Sequence, residues 1–419
     1  FGSISDAGWC SHQPYATIIS CSNLPHWKSR KKRMNVNSAA SVLLVTLFFV
    51  EQLSQGSAAR KLVFVQAIWR HGDRAPQSLP YPNDPYKETA WSRGWSQLTN
   101  IGIRQMNELG GYFRGRYNSF VSSHFVPKQV YIRSSDSDRA LTSAQAFLSG
   151  FYPAEGCFKW ERGNHWQPIP IHSTTPDEPD LLLKPTSTDC KNLDKLVEEE
   201  EAKQAKHYEE VYKDMFKFLG ERTGIANFSY ENVNDIYDIK RELVNKMTKK
   251  QPRWVFRRWS KYNNRSTMEI MSELRRIRRI TKFNSAAKAK MLGGYLLNNW
   301  LQNAKQVANG TMTDPEKMLL YSSHDGTLLS LMYAMGVAND QMIPYASSFI
   351  MEIYEHGKDY EVELLFRNTT AKPPHPLKIK GCGSPCSVQQ MVKTYTTMVL
   401  TSYDEQQALC GTPVKKCNG

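Results

Sequence analysis

Apolar residues along the chain form runs that have the length of β-strands. Residues 61–69, KLVFVQAIW, are almost continuously apolar, which predicts a strand buried on both faces, as in an α/β sheet. Apolar runs at 129–135 and 317–325 predict two more strands. Two later runs, SFIMEIYEHG and KDYEVELLFRN, meet at Gly357 and predict a hairpin.

Helical periodicity follows each of the first three predicted strands. Between 99 and 117 the apolar residues recur at helical spacing, and Thr99 is a suitable N-cap. Helices are also predicted from about Asp138 to Gly150 and from about Thr327 to Met335. Alternation of strands and helices at both ends of the chain is typical of one sheet with helices packed against it.

The middle of the chain has a different pattern. From Asp189 to Phe283 the residues are mostly helical in period and highly charged. We therefore predict an α/β fold with a mixed sheet flanked by helices and an inserted, mainly helical cap domain. The predicted sheet domain comprises residues 60–155 and 286–419, and the predicted cap comprises residues 156–285.

The amino-terminal part has the features of a targeting segment. The apolar run from Ala39 to Val50 has the length of a signal-peptide core and falls short of the ~20 residues that a membrane-spanning helix needs. Small residues at 56–59 suit signal-peptidase cleavage. We predict a start at Met34, with residues 1–59 as an upstream segment and signal peptide, and no membrane span in the mature chain. The alternative is a retained signal anchor.

Six cysteines follow the predicted signal peptide, and an even number in a secreted chain suggests disulfide bonds. Cys382 and Cys386 frame the short loop CGSPC and can close on each other. The other candidates, with the pair Cys157–Cys410 ranked first, are Cys157, Cys410, Cys190 and Cys417.

Four Asn-X-Ser/Thr sequons lie downstream of the signal-like run, which is consistent with passage through the secretory pathway. Together with that run they predict a secreted or lysosomal (luminal) glycoprotein. The candidate glycosylation sites are Asn227, Asn264, Asn309 and Asn368.

The composition adds a charge imbalance to this picture. Lys and Arg number 54 against 40 Asp and Glu, a formal charge of +14, which favours an anionic substrate, a nucleic-acid partner or simply a basic surface. Hydrophobic residues at 40% and charged residues at 22% exclude a wholly disordered chain, a collagen and a many-span membrane protein. Basic residues concentrate at 249–290, where 14 Lys and Arg accompany only Glu269 and Glu273.

The candidate chemistry begins at the end of the first predicted strand. Arg70-His71-Gly72-Asp73-Arg74 stands at the carboxyl edge of the strand, where open α/β sheets bind ligands. Neighbouring arginines lower the pKa of a histidine, and the neutral imidazole has a lone pair that can attack. Arginine forks match phosphate oxygens. The pattern indicates phosphoryl transfer through His71, with an ordinary surface histidine as the alternative.

Two further positions extend this chemistry. His324-Asp325 follows another apolar strand, so Asp325 can protonate a departing alkoxide and then activate water, while His324 binds a phosphate oxygen. The alternative is a helix start capped by the aspartate. Arg133, at the end of the strand 129–135, supplies a third positive group, unless it is an ordinary surface arginine.

These residues together resemble the histidine acid phosphatases, the branch that includes the prostatic, lysosomal and venom acid phosphatases. The resemblance runs from about Lys61 to Cys410. It is carried by RHGDRAP, QLTNIGIRQMNELG, QVYIRSSDSDRALTSA, WQPIPIH, LLYSSHDGT and GCGSPC.

The resemblance implies that His71 is the phosphorylated nucleophile and Asp325 the general acid. It implies a phosphoglycerate mutase-like sheet with a helical cap, small phosphomonoester substrates, an acidic pH optimum, no metal, no cofactor and commonly a homodimer. The phosphate ligands that it implies are Arg70, Arg74, Arg133 and His324.

Some features depart from the family pattern. Members often pair the cysteine matching Cys190 with one in the cap, but no cysteine lies between Cys190 and Cys382, so Cys190 is expected to pair with Cys417 or to stay free. The cap segment PRWVFRRWSKYNNRS is unusually basic. The alternatives are therefore an inositol polyphosphate phosphatase of the phytase type and a secreted binding protein on this fold. No nucleic-acid partner is expected, because no aromatic-rich binding module accompanies the basic segment.

Overall fold

A computed structural model describes residues 59–175 and 178–412. The predicted upstream segment and signal peptide, including the start at Met34, fall outside these residues apart from Ala59, and so does Cys417. Within the described part of the chain, no helix combines the length and the apolar character that crossing a bilayer requires.

The centre of the molecule is a mixed β-sheet. Its strands run in the spatial order β2-β5-β1-β6-β7-β8, with β9 paired to β7. Strands β2, β5 and β1 are parallel, whereas β6 is antiparallel to both β1 and β7. The strands of the described chain are β1 Lys61–Arg70, β2 Val130–Ser134, β3 Arg258–Trp259, β4 Arg265–Ser266, β5 Met318–Ser323, β6 Ser348–His356, β7 Asp359–Arg367, β8 His375–Leu377 and β9 Cys386–Ser387.

Helices cover the sheet and form the insertion. The α-helices of the described residues are α1 Asn100–Arg116, α2 Asp138–Phe151, α3 Lys191–Val211, α4 Lys213–Thr223, α5 Val233–Tyr237, α6 Ile239–Val244, α7 Thr267–Thr281, α8 Ala286–Ala308, α9 Asp325–Ala334, α10 Val388–Thr394 and α11 Tyr403–Cys410. The predicted N-cap of α1 is confirmed, because the Thr99 hydroxyl accepts a hydrogen bond from the Gly102 amide.

Strand β1 is buried on both faces, as its apolar run predicts. Val65 and Trp69 lie in the apolar cluster formed with α1 and α2. Phe64 and Ile68, which point to the other face because strand side chains alternate, pack in the cluster formed with α8 and α9. The predicted mixed sheet flanked by helices is confirmed.

The insertion has an apolar cluster of its own. Met215 and Leu219 of α4 pack there with Ile236 of α5 and with Ile270 and Leu274 of α7. The mainly helical character of this region is confirmed. The division of the chain at residues 156 and 285 stays a prediction.

Two disulfide bonds join described cysteines. Cys382–Cys386 closes the CGSPC loop as predicted. Cys410 pairs with Cys190, so the predicted Cys157–Cys410 bridge is wrong, and so is the expectation that Cys190 pairs with Cys417 or stays free. The physical reason is that the start of α3 lies against α11, where the two Cα atoms of the bridge are 4.4 Å apart. Cys157 is also disulfide-bonded.

Candidate active site

A cavity of about 720 Å³ opens at the carboxyl edge of the parallel strands. One wall is the end of β1 and the start of α9, and the opposite wall is formed by α6 and α7 of the helical insertion. Five of the six predicted site residues line it, namely Arg70, His71, Arg74, His324 and Asp325.

The backbone after β1 fixes the position of His71. The His71 amide donates to the carbonyl of Ser323 at 2.9 Å, which ties the end of β1 to the end of β5. The next residue, Gly72, lies so close to α1 that a Cβ would stand 2.3 Å from the carbonyl oxygen of Gly102. Only glycine fits there, and its amide donates to the Ser143 hydroxyl at 3.1 Å.

The tautomer of His71 follows from its partner. Its Nδ1 lies 2.8 Å from the carbonyl oxygen of Gly72, and a carbonyl can only accept, so Nδ1 carries the proton. The lone pair is therefore on Nε2. Burial, together with the positive charges of Arg70, Arg139 and Arg74 and the neighbouring His324, lowers the pKa of His71 well below its usual range. The imidazole is thus neutral and able to act as a nucleophile.

Asp73 anchors this loop to both halves of the molecule. Its carboxylate accepts from the Thr99 hydroxyl at 2.7 Å, next to the start of α1. The same oxygen accepts from the side-chain amide of Asn245, directly after α6, at 2.9 Å. Asp73 therefore links the His71 loop to the helical insertion.

Three guanidinium groups surround the imidazole. Arg70, Arg74 and Arg139 all line the cavity, and the Nε atom of each is buried without a hydrogen bond to any described residue. Two contacts fix the position of Arg70: its guanidinium donates a hydrogen bond to the carbonyl of Ile343, and it stacks 4.0 Å from the centre of the Tyr345 ring. Such forks are suited to bind the oxygens of a phosphoryl group.

The structure does not bring Arg133, the predicted third cation, into this cluster. It donates to Asp180 at 3.0 Å and lines a separate cavity. Arg133 alternates along β2 with the buried Ile132 and Ser134. The third cation is Arg139, six residues later in the first turn of α2. A helix that starts at the carboxyl edge of a sheet points its first turn at the site. The helix start predicted near Asp138 was therefore a signal in the sequence, but only the structure shows that Arg139 lines the cavity.

His324 and Asp325 stand at the start of α9, directly after β5. The His324 ring lies 5.5 Å from that of His71, centroid to centroid, and its Nε2 is 2.8 Å from the Ser135 hydroxyl. Burial and the charges of Arg139 and Lys184 lower the pKa of His324 to about 3, so it too is neutral.

Asp325 forms an ion pair that the sequence did not predict. Its Oδ2 accepts from Nε of Arg279, on α7, at 2.9 Å. Burial alone would raise the pKa of this carboxyl group, but the charges of Arg279, Arg70 and Arg275 outweigh burial and hold the pKa well below its usual range. Arg279 reaches this position because Gly326 has no side chain: a Cβ there would lie 2.6 Å from Arg279 Nη2.

Residues 61–367 match the family described as histidine phosphatase superfamily (branch 2). The chain belongs to this family. The resemblance to histidine acid phosphatases that the motifs carry is therefore confirmed at the level of the family.

Relatives of this chain include two acid phosphatases. The lysosomal acid phosphatase of Xenopus laevis is 33% identical over 376 residues, which cover 87% of this chain and 82% of the relative. The prostatic acid phosphatase of Bos taurus is 32% identical over 374 residues, or 88% of this chain and 93% of the relative.

A solved structure supports the fold. The phytase of Citrobacter braakii superimposes with a TM-score of 0.61 at 16% identity, covering 84% of this chain and 99% of that one. At this identity the likeness concerns the branch 2 fold alone.

Proposed function

We propose that this histidine phosphatase is an acid phosphatase that hydrolyses phosphomonoesters through a phosphohistidine on His71. The observation that carries the proposal is the neutral imidazole whose Nδ1 donates to the Gly72 carbonyl, in a cavity that Arg70, Arg74 and Arg139 also line. The acid phosphatases among the relatives support the same reaction class.

The first step transfers the phosphoryl group to the enzyme. His71 Nε2 attacks phosphorus, the bond from phosphorus to the ester oxygen breaks, and the proton of Asp325 goes to that oxygen, so that the alcohol leaves neutral. Arg70, Arg74 and Arg139 stabilise the charge on the equatorial oxygens, and His324 binds one of these oxygens.

The second step restores the enzyme. The Asp325 carboxylate takes a proton from water, and the water oxygen attacks the phosphohistidine. The bond between phosphorus and Nε2 breaks, and inorganic phosphate leaves. Since Asp325 must be protonated in the first step and its pKa is held low, we expect turnover to increase as the pH becomes acidic.

Trapping of the intermediate tests the nucleophile. The wild-type protein, quenched during turnover of a ³²P-labelled aryl phosphate, is expected to carry acid-labile, alkali-stable label on one histidine. His71→Ala is expected to carry no label and to lose turnover. Full activity in His71→Ala, or label on a serine or aspartate, would reject the mechanism.

A pair of arginine variants tests the phosphate ligands. Arg139→Gln should lower kcat/KM by about 10²–10³-fold, the usual effect of removing one donor to a developing oxyanion. Arg133→Gln, which removes the same charge at a residue bonded to Asp180, should leave kcat/KM within about threefold. A larger loss of kcat/KM in Arg133→Gln than in Arg139→Gln would show that Arg133, rather than Arg139, is the phosphate ligand.

We also propose a luminal location, in the lysosome or outside the cell. The lysosomal and prostatic names of the relatives support it, as do the two disulfide bonds between described cysteines. The four sequon asparagines are exposed, and one of them, Asn368, lines the mouth of the cavity. The mass of the protein purified from its own cells, measured before and after treatment with a glycosidase, tests this location. We expect the mass to fall, and an unglycosylated cytosolic protein would contradict the proposal. The homodimer stays a prediction.

A further inference from the structure

We propose that the cavity contains a second anion subsite, formed by Arg275 and Arg279 of α7 with Lys184, which selects phosphomonoesters whose alcohol carries another phosphate. This inference rests on the proposed function and specifies its substrate class. It concerns the part of the cavity next to Asp325, where the leaving group lies in the proposed mechanism.

The two arginines of α7 share one face of the helix. Residues four apart in an α-helix lie about 6 Å from each other on the same side, and Arg275 and Arg279 both line the cavity. The capping box at the start of α7, in which Ser266 and Glu269 satisfy each other's backbone amides, fixes the helix end that leads to them. The subsite is therefore built on a regular element.

The charges in this part of the cavity are not balanced by the protein. Beyond the three arginines around His71, the lining contains Lys184, Lys240, Arg241, Arg275 and Arg279. Arg241 is bonded to Asp238 and Arg279 to Asp325. The Arg275 guanidinium and the Lys184 ammonium have no hydrogen bond or ion pair with any residue that the structure describes, and the Lys240 ammonium lies over the ring of Tyr237.

Arg275 illustrates what this imbalance costs. Burial, and then the like charge of Arg279, lower its pKa to about 10. Like charges held together in a partly desolvated cavity destabilise the fold unless an anion joins them. Two other arginines of the same helix are arranged differently: Arg276 is bonded to Glu273, and Arg278 to Glu201. The unmatched charge on α7 thus faces only the cavity.

The position relative to Asp325 identifies which part of the substrate meets these cations. A general acid must contact the ester oxygen that leaves, so groups beyond Asp325 contact the leaving alcohol. Arg279 touches Asp325 directly, and Arg275 lies one helical turn further. A phosphate a few bonds from the leaving oxygen would reach both forks, and planar guanidinium groups bind phosphate in a bidentate way.

A pair of substrates that differ only in the second phosphate tests the subsite. The ratio of kcat/KM for 1,3-propanediol bisphosphate to that for propyl phosphate is measured at low ionic strength in the wild type, Arg275→Gln and Arg276→Gln. We expect a wild-type ratio well above the statistical factor of about two, and a fall of about tenfold in Arg275→Gln, the effect of one charge-assisted hydrogen bond. Arg276→Gln removes the same charge one residue away and should leave both the ratio and the activity unchanged.

A binding measurement separates this result from folding defects. Methylenediphosphonate, which cannot be hydrolysed, should inhibit the wild type more strongly than methylphosphonate, and Arg275→Gln should remove that difference. A wild-type ratio of two or less, or a ratio that Arg275→Gln does not change, would overturn the subsite while leaving the phosphatase assignment intact. Failure to hydrolyse either ester would instead reject the proposed function.

Discussion

Asp325 in the cavity and Glu352 in the sheet are both carboxylates paired with an arginine, but Glu352 is fully buried whereas Asp325 is partly exposed. Glu352 of β6 accepts two hydrogen bonds from Arg116, at 2.6 and 2.8 Å, and one each from the hydroxyls of Tyr117 and Tyr354, both at 2.7 Å. Asp325 accepts one hydrogen bond from the described residues, that of Arg279. Asp325 also lines a cavity that a ligand can enter.

The difference in hydrogen bonding separates a structural anion from a reactive one. Burial would raise the pKa of Glu352, but its bonds to Arg116, Tyr117 and Tyr354 reverse this and lower the pKa. Because every lone-pair direction of Glu352 has a donor, protonation would break several bonds together. Protonation of Asp325 disturbs one hydrogen bond, that of Arg279, and an incoming phosphate supplies negative charge that offsets the nearby arginines and favours protonation. We infer that the Glu352–Arg116 ion pair stabilises the fold and that the Asp325–Arg279 ion pair takes part in the proposed catalysis.

The largest effect is expected from removing the reactive carboxylate. Asp325→Asn should lower kcat for an alkyl phosphate by about 10²–10⁴-fold at acidic pH, because no proton is available for the leaving oxygen. The loss should be smaller for p-nitrophenyl phosphate, whose leaving group needs no proton. Steady-state kinetics on both esters measure this loss. Glu352→Gln is the control, and its kcat per folded molecule should equal that of the wild type. Equal losses on the two esters would show that Asp325 is not the acid.

The next effect concerns stability and the other carboxylate. Glu352→Gln should lower the free energy of unfolding by about 3 kcal/mol, because it leaves the Arg116 charge without its buried partner. The exposed pair Arg60–Glu363 is the matched comparison, and Glu363→Gln should cost less than about 1 kcal/mol. Urea unfolding at pH 7 measures both. A similar loss of unfolding free energy in the two variants would show that the fully hydrogen-bonded Glu352 pair is no more stabilising than the exposed Arg60–Glu363 pair.

A smaller effect is expected from the arginine that holds Asp325. In the proposed mechanism the protonated carboxyl is the active form in the first step, so kcat/KM is expected to fall as the pH rises through the pKa of Asp325. Arg279→Gln removes the largest charge that lowers this pKa, and the descending limb should move to higher pH. Profiles of kcat/KM for propyl phosphate measure the shift, and Arg276→Gln should show none. An unmoved or acid-shifted limb in Arg279→Gln would contradict the role of this ion pair.

The smallest effect is on acid stability. The folded pKa of Glu352 lies below its ordinary value of 4.5, so its contribution is complete above that pH and is lost as the pH falls through the folded pKa. The difference in unfolding free energy between the wild type and Glu352→Gln should therefore stay constant from neutral pH to about pH 5 and narrow at lower pH. If the difference in unfolding free energy already narrows between pH 7 and pH 5, the Glu352 carboxylate is not kept ionised by its hydrogen-bond partners.

Local signals in the sequence account for most of the predicted fold. Continuous apolar runs correctly predicted β1, β5 and the hairpin of β6 and β7, because burial on two faces requires apolar residues at consecutive positions. The start of α1 was predictable from Thr99, because a cap acts on amides two or three residues away. The cysteine pairing was not predictable, because Cys190 and Cys410 are 220 residues apart and meet only through the packing of two helices.

The same distinction between local signals and long-range packing applies to the candidate site. The sequence by itself determined that the loop Arg70–Arg74 and the pair His324–Asp325 belong to the candidate site, because each group is contiguous in the chain and directly follows a buried strand. Only the tertiary structure decided that Arg139 rather than Arg133 joins them, and that Arg279 reaches Asp325 across 46 residues. The physical reason is that a side chain's direction and its charged neighbours depend on how helices pack, and no local pattern of residues specifies that packing.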